Sequence, residues 1–356
     1  MALPPFLARF GTTALPPARP VPPDPTSDIL EAVPDPMLVL DGYHVSHANT
    51  AARSLLGEHI VGDYVRLAIR HPAAVALLSG DEDGPILIGG LGGNDRLWEL
   101  SGGTIAPGKR LLRLVDRSAQ RAAEKMRVDF VANASHELRT PLAALIGFIE
   151  TLEDANSPSD AAVRLRFLKI MADEARRMQR LIDDLMSLSR IEADRHSPPR
   201  DYFPLAPLVL ECCGDIRAAR VDGDRVTLEL ADGDGGAITG DRGQISQLLH
   251  NIIGNALKYG LEGTAVRVSM GAKDGIATIM VQDEGAGIAP EHLPRLTERF
   301  YRVDPGRSRA VGGTGLGLAI VKHIVERHRG RLDITSVVGH GTVVAVTLPL
   351  ATSQMS

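Results

Sequence analysis

Apolar residues between Leu138 and Leu152 fall at Leu138, Leu142, Leu145, Ile149 and Leu152, at spacings of 4, 3, 4 and 3. A second run, Leu168, Met171, Ala175, Met178, Ile182 and Leu185, follows the same rhythm at 3, 4, 3, 4 and 3. Alternating threes and fours bring such residues to one side of a helix, as in the seam of a coiled coil or bundle. The spacing therefore predicts two helices between Arg117 and about His196, parted by a turn at "ANSPSD" (155–160). A lone antiparallel pair leaves much of that seam in water, and dimerisation into a four-helix bundle would close it.

On either side the pattern changes. Between Ser27 and Asp116, "PMLVLDG" and "RLLRLVD" predict strands, and "NTAARSLLG" predicts a short helix stopped by Gly57. "ILIGGLGGNDRLWELSG" predicts a hairpin turning near Gly92 to Asp95. This is a small α+β module. From Ser197 a prolyl linker leads into alternating elements. "RVTLEL" and "GIATIMVQD" predict strands, and "DRGQISQLLHNIIGNALKYG" and "GLGLAIVKHIVERHRG" predict helices. "RLDITSVVGHGTVVAVTLPL" predicts a hairpin turning at Gly339 to Gly341, completing an α/β sandwich. The expected organisation is a disordered leader (1–26), an α+β module (27–116), a helical hairpin (117–197) and an α/β domain (198–356).

Composition narrows this picture. At 356 residues the chain holds two or three domains, and its net charge of −5 implies no direct nucleic-acid binding. The two cysteines, Cys212 and Cys213, are neighbours and cannot staple distant segments, which fits a reducing compartment. No stretch reaches the roughly 18 apolar residues of a membrane helix. The expected location is the cytoplasm, with any membrane association made through partners. The prolines from Pro4 to Pro25 remove backbone donors, which accounts for the disordered leader.

Several motifs fall short of their chemistry. In "HELRT" Thr140 stands where the zincin pattern needs a second histidine. In "GTIAPGKR" (103–110) Arg110 stands where a Walker A loop needs a hydroxyl, and a strand follows. "GGTGLGL" (312–318) has the wrong glycine spacing for a dinucleotide loop, and an Arg-rich loop precedes it. His44 and His47, if on a strand, face opposite sides and make no metal pair.

His136 remains. The stripe through Leu138 and Leu142 extrapolates back to Ser135 and Val131, placing His136 about 100° off the seam. Adjacent Glu137 can orient or deprotonate the imidazole and leave a nitrogen lone pair free. Imidazole titrates near ~6.5, so a neutral nucleophile exists at neutral pH. Pro141 removes an N–H and can bend the helix just past the site.

Further candidates lie downstream. Asp241 and Gln244 form a D-x-x-Q capping box ahead of a helix. On that helix Ile245, Leu249, Ile252 and Ala256 share one side, while Asn251, Asn255 and Lys258 cluster on another. Two carboxamides and an ammonium over two turns can hold a hydrated Mg²⁺ and phosphate oxygens, or simply face solvent. "DEGAGI" (283–288) follows a strand. The Asp283 carboxylate can accept from an exocyclic amine, and Gly285 and Gly287 let the chain pass close to a base; a plain turn is the alternative. "RFYRVD" (299–304) lies among Arg295, Arg299, Arg302, Arg307 and Arg309, a cationic stretch suited to polyphosphate or to solvent. Gly313, Gly315 and Gly317 expose backbone N–H groups where a helix starts, which suits phosphate.

Taken in order, "FVANASHELRTPL", "NIIGNALKY", "DEGAGI", "RFYRVD" and "GGTGLGLAIVKHI" resemble the H, N, G1, F and G2 boxes of bacterial sensor histidine kinases of the HisKA type. The resemblance spans about two thirds of the chain. It implies a dimeric four-helix-bundle phosphoacceptor domain and an α/β-sandwich ATP-binding domain of the Bergerat (GHKL) kind, shared with gyrase, heat-shock-90 and MutL ATPases. "ILEAVPDPMLVLDGYHVSHANTAARSLLG" resembles a PAS sensor domain, and the whole is most similar to the phosphate-regulon group. Members of that group commonly carry N-terminal membrane helices, and these residues hold no apolar stretch of that length.

The same resemblance assigns roles. His136 is the acceptor, with Glu137 assisting, and Thr140 occupies the position used for phosphatase activity. Asn251 and Asn255 bind Mg²⁺, Lys258 and Tyr259 contact ATP, and Asp283 reads the adenine amino group. Gly285, Gly287, Arg302, Gly313, Thr314, Gly315, Leu316 and Gly317 complete the nucleotide site. The expected function is ATP-dependent autophosphorylation of His136 and transfer to an aspartate of a separate response regulator. The alternatives are a non-catalytic dimeric scaffold or another ATPase of the same fold.

Overall fold

The computed structural model describes residues 25–79, 84–93, 96–154, 161–194, 197–230, 236–304, 306 and 312–351. Residues 1–24, most of the expected leader, the turn at 155–160, and Arg307 and Arg309 lie outside the described residues. Among the described residues no helix is long and apolar enough to cross a membrane. The chain divides into two compact units, Met1–Val128 and Asp129–Ser356.

The first unit contains α1 (Pro25–Glu31), β1 (Met37–Asp41), β2 (His44–Ala48), α2 (Thr50–Leu56), α3 (Val65–Ala68), α4 (Ala74–Ser79), β3 (Ile86–Gly89), β4 (Leu97–Ala106) and β5 (Lys109–Asp116). The strands form one antiparallel sheet in the order β2-β1-β5-β4-β3. The unbroken apolar run "MLVL" arises because β1 is covered on both faces. Leu38 and Leu40 join the main core, while Met37 and Val39 pack with Leu30 of α1. Buried Asn49 caps α2 through Ala52 N–H and donates to the carbonyls of Leu30, Val33 and Asp35. Gly57, at φ 110°, ends that helix as its sequence implies. "GTIAPGKR" forms the β4–β5 hairpin, so no phosphate loop exists there.

The helix α5 (Ser118–Asp154) begins within the first unit and runs through Pro141 as one helix, and α6 (Ala161–Ala193) of the second unit returns beside its later turns. Phe148 meets Phe167 at 5.2 Å between ring centroids, and Glu137 meets Arg177, an antiparallel register. The expected seam is largely open in the single chain. Leu142, Ile149, Leu168 and Ile182 are all exposed by more than 40%. The strongest burial on α6 falls elsewhere. Leu181, Leu188 and Ile191, with Leu185 beside them, pack into the core of the α/β domain. The two apolar rows of α6 share Leu185, and the second, displaced around the helix, does not follow the phase of the first.

The remaining elements are β6 (Asp201–Pro204), α7 (Leu205–Ala219), β7 (Val226–Leu230), β8 (Ala237–Gly240), α8 (Arg242–Tyr259), β9 (Val266–Lys273), β10 (Ile276–Asp283), α9 (Gly317–Arg327), β11 (Arg331–Val337) and β12 (Gly341–Pro349). The sheet runs β11-β12-β10-β9-β7, antiparallel except for the β7–β9 pair, and β6 pairs with β8 apart from it. The inward rows Val266, Val268 and Met270 on β9 and Ala277, Ile279 and Val281 on β10 face the helices. The helix α7 was not expected, because prolines stand at its start. Pro204 is the N-cap and Pro207 lies in the first turn, where no intrahelical N–H bond is lost. Both cysteines are buried and free on α7, and burial pushes the Cys213 thiol up to about 11.

The capping box at Asp241 is half realised. The Asp241 carboxylate accepts from Gln244 N–H at 3.1 Å, but Gln244 Oε1 is buried without a partner and does not return the bond. The Asp241 N–H donates instead to His328 Nε2 at 2.9 Å, while His328 Nδ1 donates to the Ile324 carbonyl at 2.8 Å. A neutral ring from the end of α9 thus caps the start of α8. A Cβ at Gly240 would meet that ring at 2.8 Å. Burial, more than its neighbours, holds His328 below the usual imidazole range. Its contribution to stability is complete above ~6.5 and is lost as pH falls through the depressed value. In urea denaturation, His328→Leu should cost about 1–3 kcal/mol at pH 7.5. It should also flatten the acid loss of stability relative to wild type between pH 7.5 and 5.

Candidate active site

Strand alternation delivers the first functional group. Asp283 continues the inward row of β10 and opens into a cleft of about 380 Å³ between the sheet and α8. Asp283 is 7% exposed, and its carboxylate accepts from Gly285 N–H at 2.8 Å. Burial pushes it above the usual carboxylate range, against the backbone hydrogen bonds of Gly285 and Thr342. Gly285 passes so close to Tyr259 that a Cβ would lie 2.5 Å from its carbonyl oxygen. Gly287 has φ 69°, and its Cβ would meet the Val337 carbonyl at 2.1 Å.

From the facing helix, Asn251, Asn255, Lys258 and Tyr259 line the same cleft together with Ile252 and Ala256, while Ile245 and Leu249 are buried behind them. Desolvation first, then Arg180 and Arg220, hold the Lys258 ammonium below its ordinary range. Gly313, Thr314, Gly315 and Gly317 close the cleft where α9 starts. Leu316 does not line it. Its side chain is fully buried in the core, leaving only its backbone toward the turn. Gly317 supplies space, since a Cβ there would sit 3.3 Å from Asn251 Oδ1 and 3.9 Å from Asn255 Nδ2. The carboxamide oxygens that Asn251 and Asn255 can offer beside an open glycine fit a hard cation that keeps several of its waters.

His136 is exposed on α5, as its offset from the seam requires. The hydroxyl of Thr140 donates to the His136 carbonyl at 3.2 Å, within the helix. Glu137 was expected to orient the imidazole, but its carboxylate is engaged elsewhere. Arg302 donates to it at 2.8 and 3.3 Å, and Arg177 of α6 approaches at 3.6 Å. Arg302 also donates to the Thr314 carbonyl at 2.9 Å, and it lines the cleft. One guanidinium thus touches both the residue beside His136 and the α9 turn. Its neighbour Arg299 serves the same junction, pairing with Glu192 and lying over the Phe130 ring at 5.1 Å.

Sequence reasoning missed the contribution of α6. Arg180, Asp183 and Asp184 also line the cleft, and Asp184 accepts from the Thr314 hydroxyl at 2.7 Å. Burial raises Asp184 above the usual carboxylate range despite that bond and the nearby Lys258. Within "LIDDLMS" nothing distinguishes these acids from a solvated helix face, so their partners become visible only once α6 is packed. For the glycine loop, Gly287→Ala should destabilise the domain by about 1–3 kcal/mol through backbone strain alone. A denaturation midpoint unchanged from wild type would show that the loop can shift freely.

Three families match the chain. The PAS domain matches residues 26–85, and the His Kinase A (phospho-acceptor) domain matches 126–194. The histidine kinase-, DNA gyrase B- and HSP90-like ATPase matches 240–352. The phosphate regulon sensor protein PhoR of Pseudomonas aeruginosa is 44% identical over 65% of this chain and 52% of its own length. The sensor-like histidine kinase SenX3 of Mycolicibacterium smegmatis is 36% identical over 66% of this chain and 60% of its own. The chain thus spans about half the length of the curated relatives it matches. The histidine kinase AdeS of Acinetobacter baumannii is a solved structure with 24% identity and a TM-score of 0.47, covering 61% of this chain and 98% of that one.

Proposed function

We propose that this chain is a bacterial sensor histidine kinase of the HisKA type, similar to the phosphate-regulon members, and acts as an ATP-dependent protein-histidine kinase with His136 as its phosphoacceptor. The observation that carries this reading is Arg302, which lines the cleft and holds the carboxylate of Glu137, next in sequence to His136.

In the proposed reaction ATP is the substrate held in the cleft. Asp283 accepts from the adenine amino group, and the glycine backbone at 285–287 leaves room for the ring. Lys258, Arg302 and the N–H groups at Gly313, Gly315 and Gly317 face the phosphates. Asn251 and Asn255 would hold Mg²⁺, which when bound neutralises charge on the phosphate oxygens. Phosphoryl transfer needs chiefly positioning and charge neutralisation, and these groups supply both. The His136 imidazole attacks the γ-phosphorus, the bond from that phosphorus to the β–γ bridging oxygen breaks and releases ADP, and Glu137, once released from Arg302, takes the imidazole N–H proton. The phosphoryl group then passes to an aspartate of a separate response regulator. Thr140, one turn beyond His136, would orient a water toward that phosphoaspartate in a separate phosphatase reaction that yields aspartate and inorganic phosphate. The exposed seam residues Leu142, Ile149, Leu168 and Ile182 support a homodimer. The PAS-like unit is the proposed sensor, with a signal of the phosphate type.

Incubation with γ-labelled ATP and Mg²⁺ tests the assignment. Wild type should acquire acid-labile, base-stable label, and His136→Gln should acquire none while still binding ATP. Label retained in His136→Gln would place the acceptor elsewhere. Separately, Asp283→Asn should weaken ATP binding by about tenfold or more, as expected when a charged acceptor is lost in a buried site. Isothermal titration would measure it, and unchanged affinity would remove Asp283 from the adenine site.

A further inference from the structure

Two groups that line the cleft, Arg302 and the Thr314 hydroxyl, are already bound by acids of the helical hairpin. Arg302 is engaged by Glu137 of α5, and the Thr314 hydroxyl by Asp184 of α6. The Asp184 contact bridges 130 positions of sequence and enters the cleft beside Lys258 and Arg180. The adjacent Asp183 behaves differently, accepting from Gln179 on its own helix.

We propose that Asp184 is a built-in competitor of the nucleotide phosphates, a carboxylate of the phosphoacceptor hairpin that occupies the phosphate end of the cleft. The inference rests on the reading of that cleft as the ATP site. A triphosphate carries several negative charges, and a carboxylate a few ångströms away repels them in a partly desolvated site more strongly than in water. Both anions seek the same Thr314 hydroxyl and the same cationic neighbours. The raised carboxyl of Asp184 agrees with this, since burial costs it more than its present partners return. ATP must therefore displace Asp184 from Thr314, as it must displace Glu137 from Arg302. Loading of the nucleotide and release of the hairpin acids become one event. A hairpin held against the cleft lowers affinity for ATP, and an upstream signal that shifts α6 raises it.

The test compares wild type with Asp184→Asn in the full chain, using ATP and adenosine as separate ligands in isothermal titration. The asparagine keeps the shape and an acceptor for Thr314 but removes the charge. ATP should bind about tenfold more tightly to the variant, with adenosine affinity unchanged. Equal or weaker ATP binding would overturn the inference and leave the ATP site standing. Equal tightening of ATP and adenosine would also overturn it, since the helix would then be a steric cover and not a phosphate competitor. If neither chain binds ATP, the nucleotide reading itself falls and this inference falls with it. Asp184→Ala, checked for an unchanged thermal midpoint, should reproduce the ATP-selective gain.

Discussion

The apolar row Leu181, Leu185, Leu188 and Ile191 on α6 is the contact on which the rest of the second unit depends, because it packs the helical hairpin into the same core as α8, α9 and the sheet. Polar pairs surround that strip: Ser187 with Gln247, Arg299 with Glu192, Arg327 with Asp194, and Thr314 with Asp184. None of these would hold the two parts together alone, since half-exposed polar pairs contribute little. With the apolar row buried, they set the register in which α6 meets the α9 turn. Phe130 and Leu138 extend the same packing to α5, and Phe130 faces Phe300 at 6.0 Å between ring centroids.

That packing gives the cleft its electrostatic character. Asp283 and Asp184 are pushed up by burial and Lys258 is pushed down by it, so both signs of charge are held where water compensates them poorly. Such a site responds strongly to an incoming polyanion and cation, because each new charge relieves or aggravates a group already under strain. Arg302 sits at the centre of this balance, since a single guanidinium serves Glu137 and the Thr314 carbonyl together.

The first unit follows simpler rules. Its sheet alternates inward and outward residues, and β1 becomes wholly apolar where α1 covers its second face. Asn49 fixes that cover through hydrogen bonds to Met37, Leu30, Val33 and Asp35, each buried or partly buried. The motif-like "GTIAPGKR" is only the connection between two strands, which the strand-forming "RLLRLVD" after it already implied.

Periodicity by itself determined α2, α5, α6, α8 and α9 and most of the strands. A helix of 3.6 residues per turn and a strand of two both leave their signature in local order. The spacing of Asn251, Asn255 and Lys258 placed them on one side of α8, and the strand before Asp283 placed that carboxylate at a strand end. Local order also set His136 outside the apolar seam. Tertiary structure alone decided the rest. The partner of the Asp241 N–H is His328, 87 residues away, where local pattern offered Gln244. Glu137 faces Arg302 across 165 positions in place of its neighbour His136, and Asp184 reaches Thr314 across 130. The physical reason is the same in each case. A charged or polar side chain on a helix surface looks identical in sequence whether water or another element faces it, and only packing chooses between them.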